Sequence, residues 1–134
     1  MSDRCYMEVR CKKEHAPIFE KLGFTVRDEG YAPGIVELVD EGANYAHYNE
    51  MPNEVPYFGW HGAGGEYGSC AFACEGNGYV DADMDANGEL VVRVSDRGQP
   101  SKTDLKMVRR YVACWRRAQK AMAPKLKQRI KRGG

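Results

Sequence analysis

The chain has 134 residues, with 20 Lys and Arg against 19 Asp and Glu, a net charge of +1, 43% apolar residues and five cysteines. That composition suits one ordinary folded domain and excludes a disordered chain, a collagen and a coiled coil. No stretch approaches the ~20 apolar residues of a spanning helix, and the charged opening residues lack the apolar core of a signal peptide, so a cytoplasmic protein without membrane contact is expected.

Cys5, Met7, Val9 and Cys11 alternate with Tyr6, Glu8 and Arg10, the period-2 pattern of a strand with one buried face. Ile18, Phe19 and Leu22 then recur at helical spacing and Gly23 follows as a cap, which predicts a short helix from about Glu14 to Leu22 with Pro17 in its first turn. From Phe24 to Ser95 the chain reads as strands and turns. Strands are expected at Ile35 to Val39, Tyr45 to Tyr48, Tyr57 to His61, Cys70 to Cys74, Tyr79 to Met84 and Glu89 to Ser95, with a proline-containing loop from Asn49 to Pro56.

The last three of these predict a meander. Glu75-Gly76-Asn77-Gly78 and Asp85-Ala86-Asn87-Gly88 supply its tight turns. The inward set would be Cys70, Phe72 and Cys74 with Val80, Ala82 and Met84 and with Leu90, Val92 and Val94. Ser101 stands three residues before Asp104 as in a capping box, with Pro100 and Leu105 placed as a hydrophobic staple. A long helix follows from about Lys102 to Met122. Leu105, Val108, Tyr111, Val112, Trp115 and Met122 lie on one side, and Arg109, Arg110, Arg116, Arg117 and Lys120 on the other.

These elements predict a single α+β domain over residues 1–123. It would hold an antiparallel sheet of about five to seven strands, ending in the meander, with the short N-terminal and long C-terminal helices on one face. Pro124 ends the helix and leaves residues 124–134 as a basic tail.

Charge is distributed unevenly along the chain. Residues 1–100 hold 8 basic and 18 acidic side chains, whereas residues 101–134 hold 12 basic and one acidic. Between residues 28 and 92 there are 13 Asp or Glu and no Lys or Arg. Such asymmetry is either balanced within the molecule or presented to partners. An acidic face built on Asp81, Asp83, Asp85 and Glu89 would dock on a basic protein surface. A basic helix and tail, with Arg109, Arg110, Arg116, Arg117, Lys120, Lys125, Lys127, Arg129, Lys131 and Arg132, would track phosphates, although the acidic body repels the same polyanion.

Motifs for chemistry are weak. Asp83-x-Asp85-x-Asn87-Gly88 opens like a calcium loop, but Val94 stands where a bidentate Glu is required and the flanks alternate as strands. Cys11 with His15 and Cys70 with Cys74 have four-residue spacings that would separate them by roughly 13 Å on a strand, too far for one zinc ion. The five thiols, odd in number and irregularly spaced, are expected to be reduced core residues. The glycine-rich stretch from Trp60 to Gly68 matches no phosphate or dinucleotide fingerprint. As a loop or pocket it would offer Trp60 and Tyr67 for contact and His61 for polar recognition.

No metal, cofactor or catalytic residue is therefore expected. The leading expectation is a small non-catalytic binding protein that acts through its charge-polarised surface on a protein partner, as an inhibitor or adaptor of the kind phages and mobile elements carry. A nucleic-acid-binding module using the C-terminal helix and tail is the alternative, and an enzyme with a site near His61, for example paired with Cys70, is a third. Opposite charges on one molecule also favour a homodimer.

Overall fold

The alternation at the start of the chain builds strand β1 (Arg4–Lys12), which becomes the third strand of a six-stranded antiparallel sheet. The computed structural model describes residues 4–44, 50–63 and 68–123. The expected strand Tyr45 to Tyr48, the loop residue Tyr67 and the basic tail lie outside them. The other strands are β2 (Thr25–Ala32), β3 (Ile35–Asn44), β4 (Tyr57–His61), β5 (Cys70–Cys74) and β6 (Tyr79–Asp83), in the spatial order β2-β3-β1-β4-β5-β6. A 3-10 turn over Lys13–His15 leads into helix α1 (Ala16–Glu20), and helix α2 (Lys102–Met122) closes the described chain. The fold is α+β, and α2 has the bounds its sequence pattern predicts.

Strand alternation gives the sheet two distinct faces. On the first, Met7, Val9 and Cys11 of β1, Val36 and Leu38 of β3, Tyr57 of β4 and Phe72 and Cys74 of β5 form one core with Ala16 and Phe19 of α1, Phe24 and Met51. Phe19 meets Tyr57 edge-on at 5.2 Å between ring centres. On the second face, Phe58, Ala71, Ala73 and Ala82 pack with Tyr111, Cys114 and Met122 of α2, joined by the partly buried Val80, Met84, Leu90, Val108, Val112 and Trp115. The two helices therefore cover opposite faces, where the sequence pattern places them on one. The reason lies in β5, Cys-Ala-Phe-Ala-Cys, all five residues of which are buried. An apolar strand of this kind needs cover on both sides, and its alternation of large and small side chains hides that need.

The meander differs for the same reason. β5 and β6 pair with Ala71 opposite Ala82 and Ala73 opposite Val80, so the inward residues of β6 share a face with the alanines, not with Phe72 and Cys74. No third strand forms at Glu89 to Ser95. Only the bridges Met84 to Leu90 and Val94 to Pro100 remain, and Val91 and Val94 stay exposed. Two similar turns shape this segment instead. Asp85 Oδ1 accepts from the N–H groups of Asn87 and Glu89, and Ser95 Oγ accepts from those of Arg97 and Gln99.

The N-terminal helix is shorter than expected, because only Ala16 and Phe19 are buried on it and Ile18 remains exposed. Strand β2 was not expected at all. It is an edge strand of mostly exposed polar residues, without the apolar period that marks the others. β3 likewise runs past Val39 to Asn44, drawn on by pairing with β1 rather than by its own composition.

The start of α2 follows its capping signal in part. Ser101 Oγ accepts from the Asp104 N–H at 3.1 Å. The Asp104 carboxylate does not reach back to Ser101; it takes the backbone N–H, Nε and Nη2 of Arg93 at 2.9, 2.9 and 2.8 Å, while the Ser101 N–H donates to the Arg93 carbonyl. Pro100 is exposed and bridges to Val94 in place of a staple.

Candidate ligand cavity and basic helix face

Small residues on the second face create the most pocket-like feature of the described molecule. Phe58 and Trp60 on β4 stand beside Ala73 and Ala71 on β5, and α2 settles closely on the alanines: Ala118 is fully buried and the Cys114 thiol donates to the Ala73 carbonyl at 3.4 Å. Next to this contact α2 leaves a space above Ala71. A cavity of about 500 Å³ opens there, walled by Phe58 and Trp60, by Tyr111, Trp115 and Gln119 of α2, by the turn from Met84 to Leu90, and by Arg10 and Tyr31 at its far end. That volume lies within the roughly 300–1,000 Å³ of small-molecule sites. Phe58 and Trp115 meet edge-on at 6.2 Å.

Arg10 belongs to an ionic network that occupies the rest of this face. Its Nη2 lies 2.7 Å from both Glu8 Oε2 and Glu37 Oε2. Arg27 reaches the other oxygens of the same two carboxylates, at 3.1 Å to Glu8 and 2.7 Å to Glu37, and Tyr6 donates its hydroxyl to Glu8 at 2.8 Å. Both glutamates are buried, and two cations balance them. Burial alone would raise the Glu37 carboxyl, yet the hydrogen bonds from Arg27 and Arg10 outweigh it and hold the group below its ordinary range. The Arg10 guanidinium stacks 4.6 Å from the centre of the Tyr31 ring and lies 5.9 Å from that of Phe58. Among the described residues its Nε is buried without an acceptor and no hydrogen bond engages Nη1.

The expected loop site divides. Trp60 and His61 are neighbours on β4, so they point to opposite faces: Trp60 walls the cavity, and His61 is buried on the other side. His61 lies directly opposite Cys70, which in turn lies opposite Asp83. A thiol, an imidazole and a carboxylate thus share one row of the sheet. Burial pushes the imidazole below its ordinary value, opposed by the Gly62 carbonyl 3.1 Å from Nδ1 and by the charge of Asp81. Among the described residues, no group of three or more His, Cys, Asp or Glu is placed to hold a metal ion.

The acidic quartet is spread out. Asp81 and Asp83 lie on edge strand β6 opposite Phe72 and Cys70, and so on the first face of the sheet, Asp85 has one oxygen committed to its turn, and Glu89 is exposed beyond it. Asp104 and, more weakly, Asp83 favour the charged form of Arg93. The basic residues are gathered by contrast. Lys102, Lys106, Arg109, Arg110, Arg116, Arg117 and Lys120 are all exposed on α2, spread over about 30 Å at ~1.5 Å per residue. Among the described residues only Arg117 of the seven is in an ion pair, with Glu75 at 2.8 Å.

The cavity has no signature in the sequence because its lining comes from six separated segments. Tyr31 and Arg10 carry no local signal of a site, and the alanines of β5 read only as core. Comparison with protein-family models, with curated proteins and with solved structures found no match to this chain.

Proposed function

We propose that the protein is a binding protein that engages a nucleic acid through the exposed basic face of α2. The observation that carries this reading is the set of seven exposed Lys and Arg on one 21-residue helix, six of them without an ion pair among the described residues. Cations balanced within the molecule would be paired with its many carboxylates; these face solvent along one side of the helix, where successive phosphates can be contacted. The acidic remainder of the molecule repels a polyanion and so orients it onto α2.

A protein partner docking on the acidic quartet, as for an inhibitor or adaptor, has less support. Charges on an edge strand such as β6 also serve to discourage unwanted strand pairing, and Asp85 stabilises its own turn. Self-association is a second consequence of the charge separation, since α2 of one copy complements the acidic body of another. Light scattering at low and high salt tests it: a dimer that dissociates with added salt is expected, and a monomer under both conditions would reject it.

The principal test is the affinity for fluorescent single- and double-stranded oligonucleotides at several salt concentrations. Binding that weakens steeply with salt is expected, with a logarithmic slope that falls by about 0.7–0.9 for each phosphate contact removed. The triple variant Arg109→Glu, Arg116→Glu, Lys120→Glu should then bind at least about tenfold more weakly. Absence of binding at low salt, or affinity unchanged in the triple variant, would sink the proposal.

A further inference from the structure

The geometry points to a second site: the cavity beneath α2 takes a planar nitrogen heterocycle, a nucleobase, stacked among its aromatic walls. Phe58, Trp60, Tyr111 and Trp115 offer ring faces and edges, surfaces on which any base can stack. Polar groups stand at opposite ends. Arg10 brings a guanidinium whose Nη2 is taken up by Glu8 and Glu37 while Nη1 has no acceptor among the described residues. Its charge is already balanced, so it asks for a neutral acceptor, such as a ring carbonyl, rather than for a phosphate. At the other end Asp85 and Asn87 can accept from an exocyclic amine. An apolar ligand would leave these groups unmatched.

The position of the cavity connects it to the basic helix. Val108, Val112, Trp115 and Gln119 form one stripe of α2, and at 100° per residue Arg109, Arg116 and Lys120 form the next. A strand whose phosphates lie on the second stripe would present a base to the first. In that respect the inference rests on the nucleic-acid reading, but only for where the base comes from: a free nucleotide carries the same heterocycle.

Both tryptophans of the chain, Trp60 and Trp115, line the cavity, so intrinsic fluorescence reports its occupancy. The experiment titrates the full-length protein with adenosine monophosphate, thymidine monophosphate and a ten-residue oligothymidylate. Saturable quenching by at least one probe is expected. Gln119→Phe, at an exposed helical position where folding is not at risk, and Ala71→Leu, which fills the floor, should each weaken it by about tenfold or more, the loss of a stacked base. Circular dichroism of both variants separates occlusion from unfolding.

Quenching by mononucleotides assigns the site to free nucleotides as well as strands; quenching by the oligonucleotide alone assigns it to a base within a strand. Salt-sensitive oligonucleotide binding without quenching would overturn the cavity and leave the basic face standing. Mononucleotide quenching together with oligonucleotide affinity unchanged in the Arg109, Arg116, Lys120 triple variant would overturn the basic face and leave the cavity standing. No quenching by any probe, or quenching unaltered in a folded Gln119→Phe protein, rejects the cavity as a base site.

Discussion

Gly59 shows how a single residue sets the spacing of the sheet. A Cβ at this position would run into the backbone oxygen of Glu8 and stand 2.9 Å from Cα of Val9, because β4 lies against β1 there with no room for a side chain. Gly59→Ala is expected to cost about 1–3 kcal/mol or more as an overpacking change that only backbone movement can relieve, read as a lower urea midpoint. Asp104 acts at the same scale on pH dependence. The Arg93 side chain, and then its backbone N–H, hold the Asp104 carboxyl down at about 2, below its ordinary 3.8. A depressed folded-state value means that the contribution is fully present above the ordinary value and is lost as pH falls through about 4 towards about 2. Wild type and Asp104→Asn should therefore differ in urea midpoint at pH 6 and converge by pH 2; a constant difference across that range would contradict the assignment.

At the scale of elements, α2 illustrates how a helix can be predicted to the residue while its contact surface is not. Its large apolar residues Val108, Val112 and Trp115 are only partly buried, and the fully covered line runs through Tyr111, Cys114, Ala118 and Met122. Small residues sit closest to the sheet because the alanines of β5 and β6 allow a close approach. Ala118→Leu is thus expected to destabilise by about 1–3 kcal/mol by pushing the helix outward. Trp115→Ala removes a large cavity wall and its edge contact with Phe58, and should cost about 2–3 kcal/mol, below the full range for a core aromatic because the ring is partly solvated. Denaturant titration of the two variants checks the order. A Trp115 variant as stable as wild type would mean that the ring packs on nothing.

For the molecule as a whole, all five cysteines are buried and in the reduced form, and burial pushes Cys11 up to about 12. A thiol reagent at neutral pH should find no rapidly reacting cysteine in the native protein and five in urea, since only the thiolate attacks and only unfolding exposes it. One fast thiol under native conditions would contradict the burial of the five cysteines. No helix of the described residues is long and apolar enough to cross a membrane. Charge is sorted in space as well as in sequence, with the cations of α2 forming one outer surface.

Local patterns alone determined β1, β4, β5, β6 and α2, because each has its own apolar period and its own boundary residues: Ser101 at the start of α2, Gly76 and Gly78 between β5 and β6. The basic surface of α2 was legible for the same reason, a helical period applied to Arg109, Arg110, Arg116, Arg117 and Lys120. Tertiary structure decided what depends on partners. β2 is polar and exists because β3 offers it an edge. Glu89 to Ser95 has the alternation of a strand, yet forms only isolated bridges while Val91 and Val94 stay exposed. Which face each helix covers rests on β5 being buried on both sides, which a five-residue apolar run does not disclose. The cavity, too, lies beyond any local pattern. It exists where six segments stop short of one another, and its volume follows from Ala71 meeting Trp60 across two strands, a relation of register that no single stretch of sequence contains.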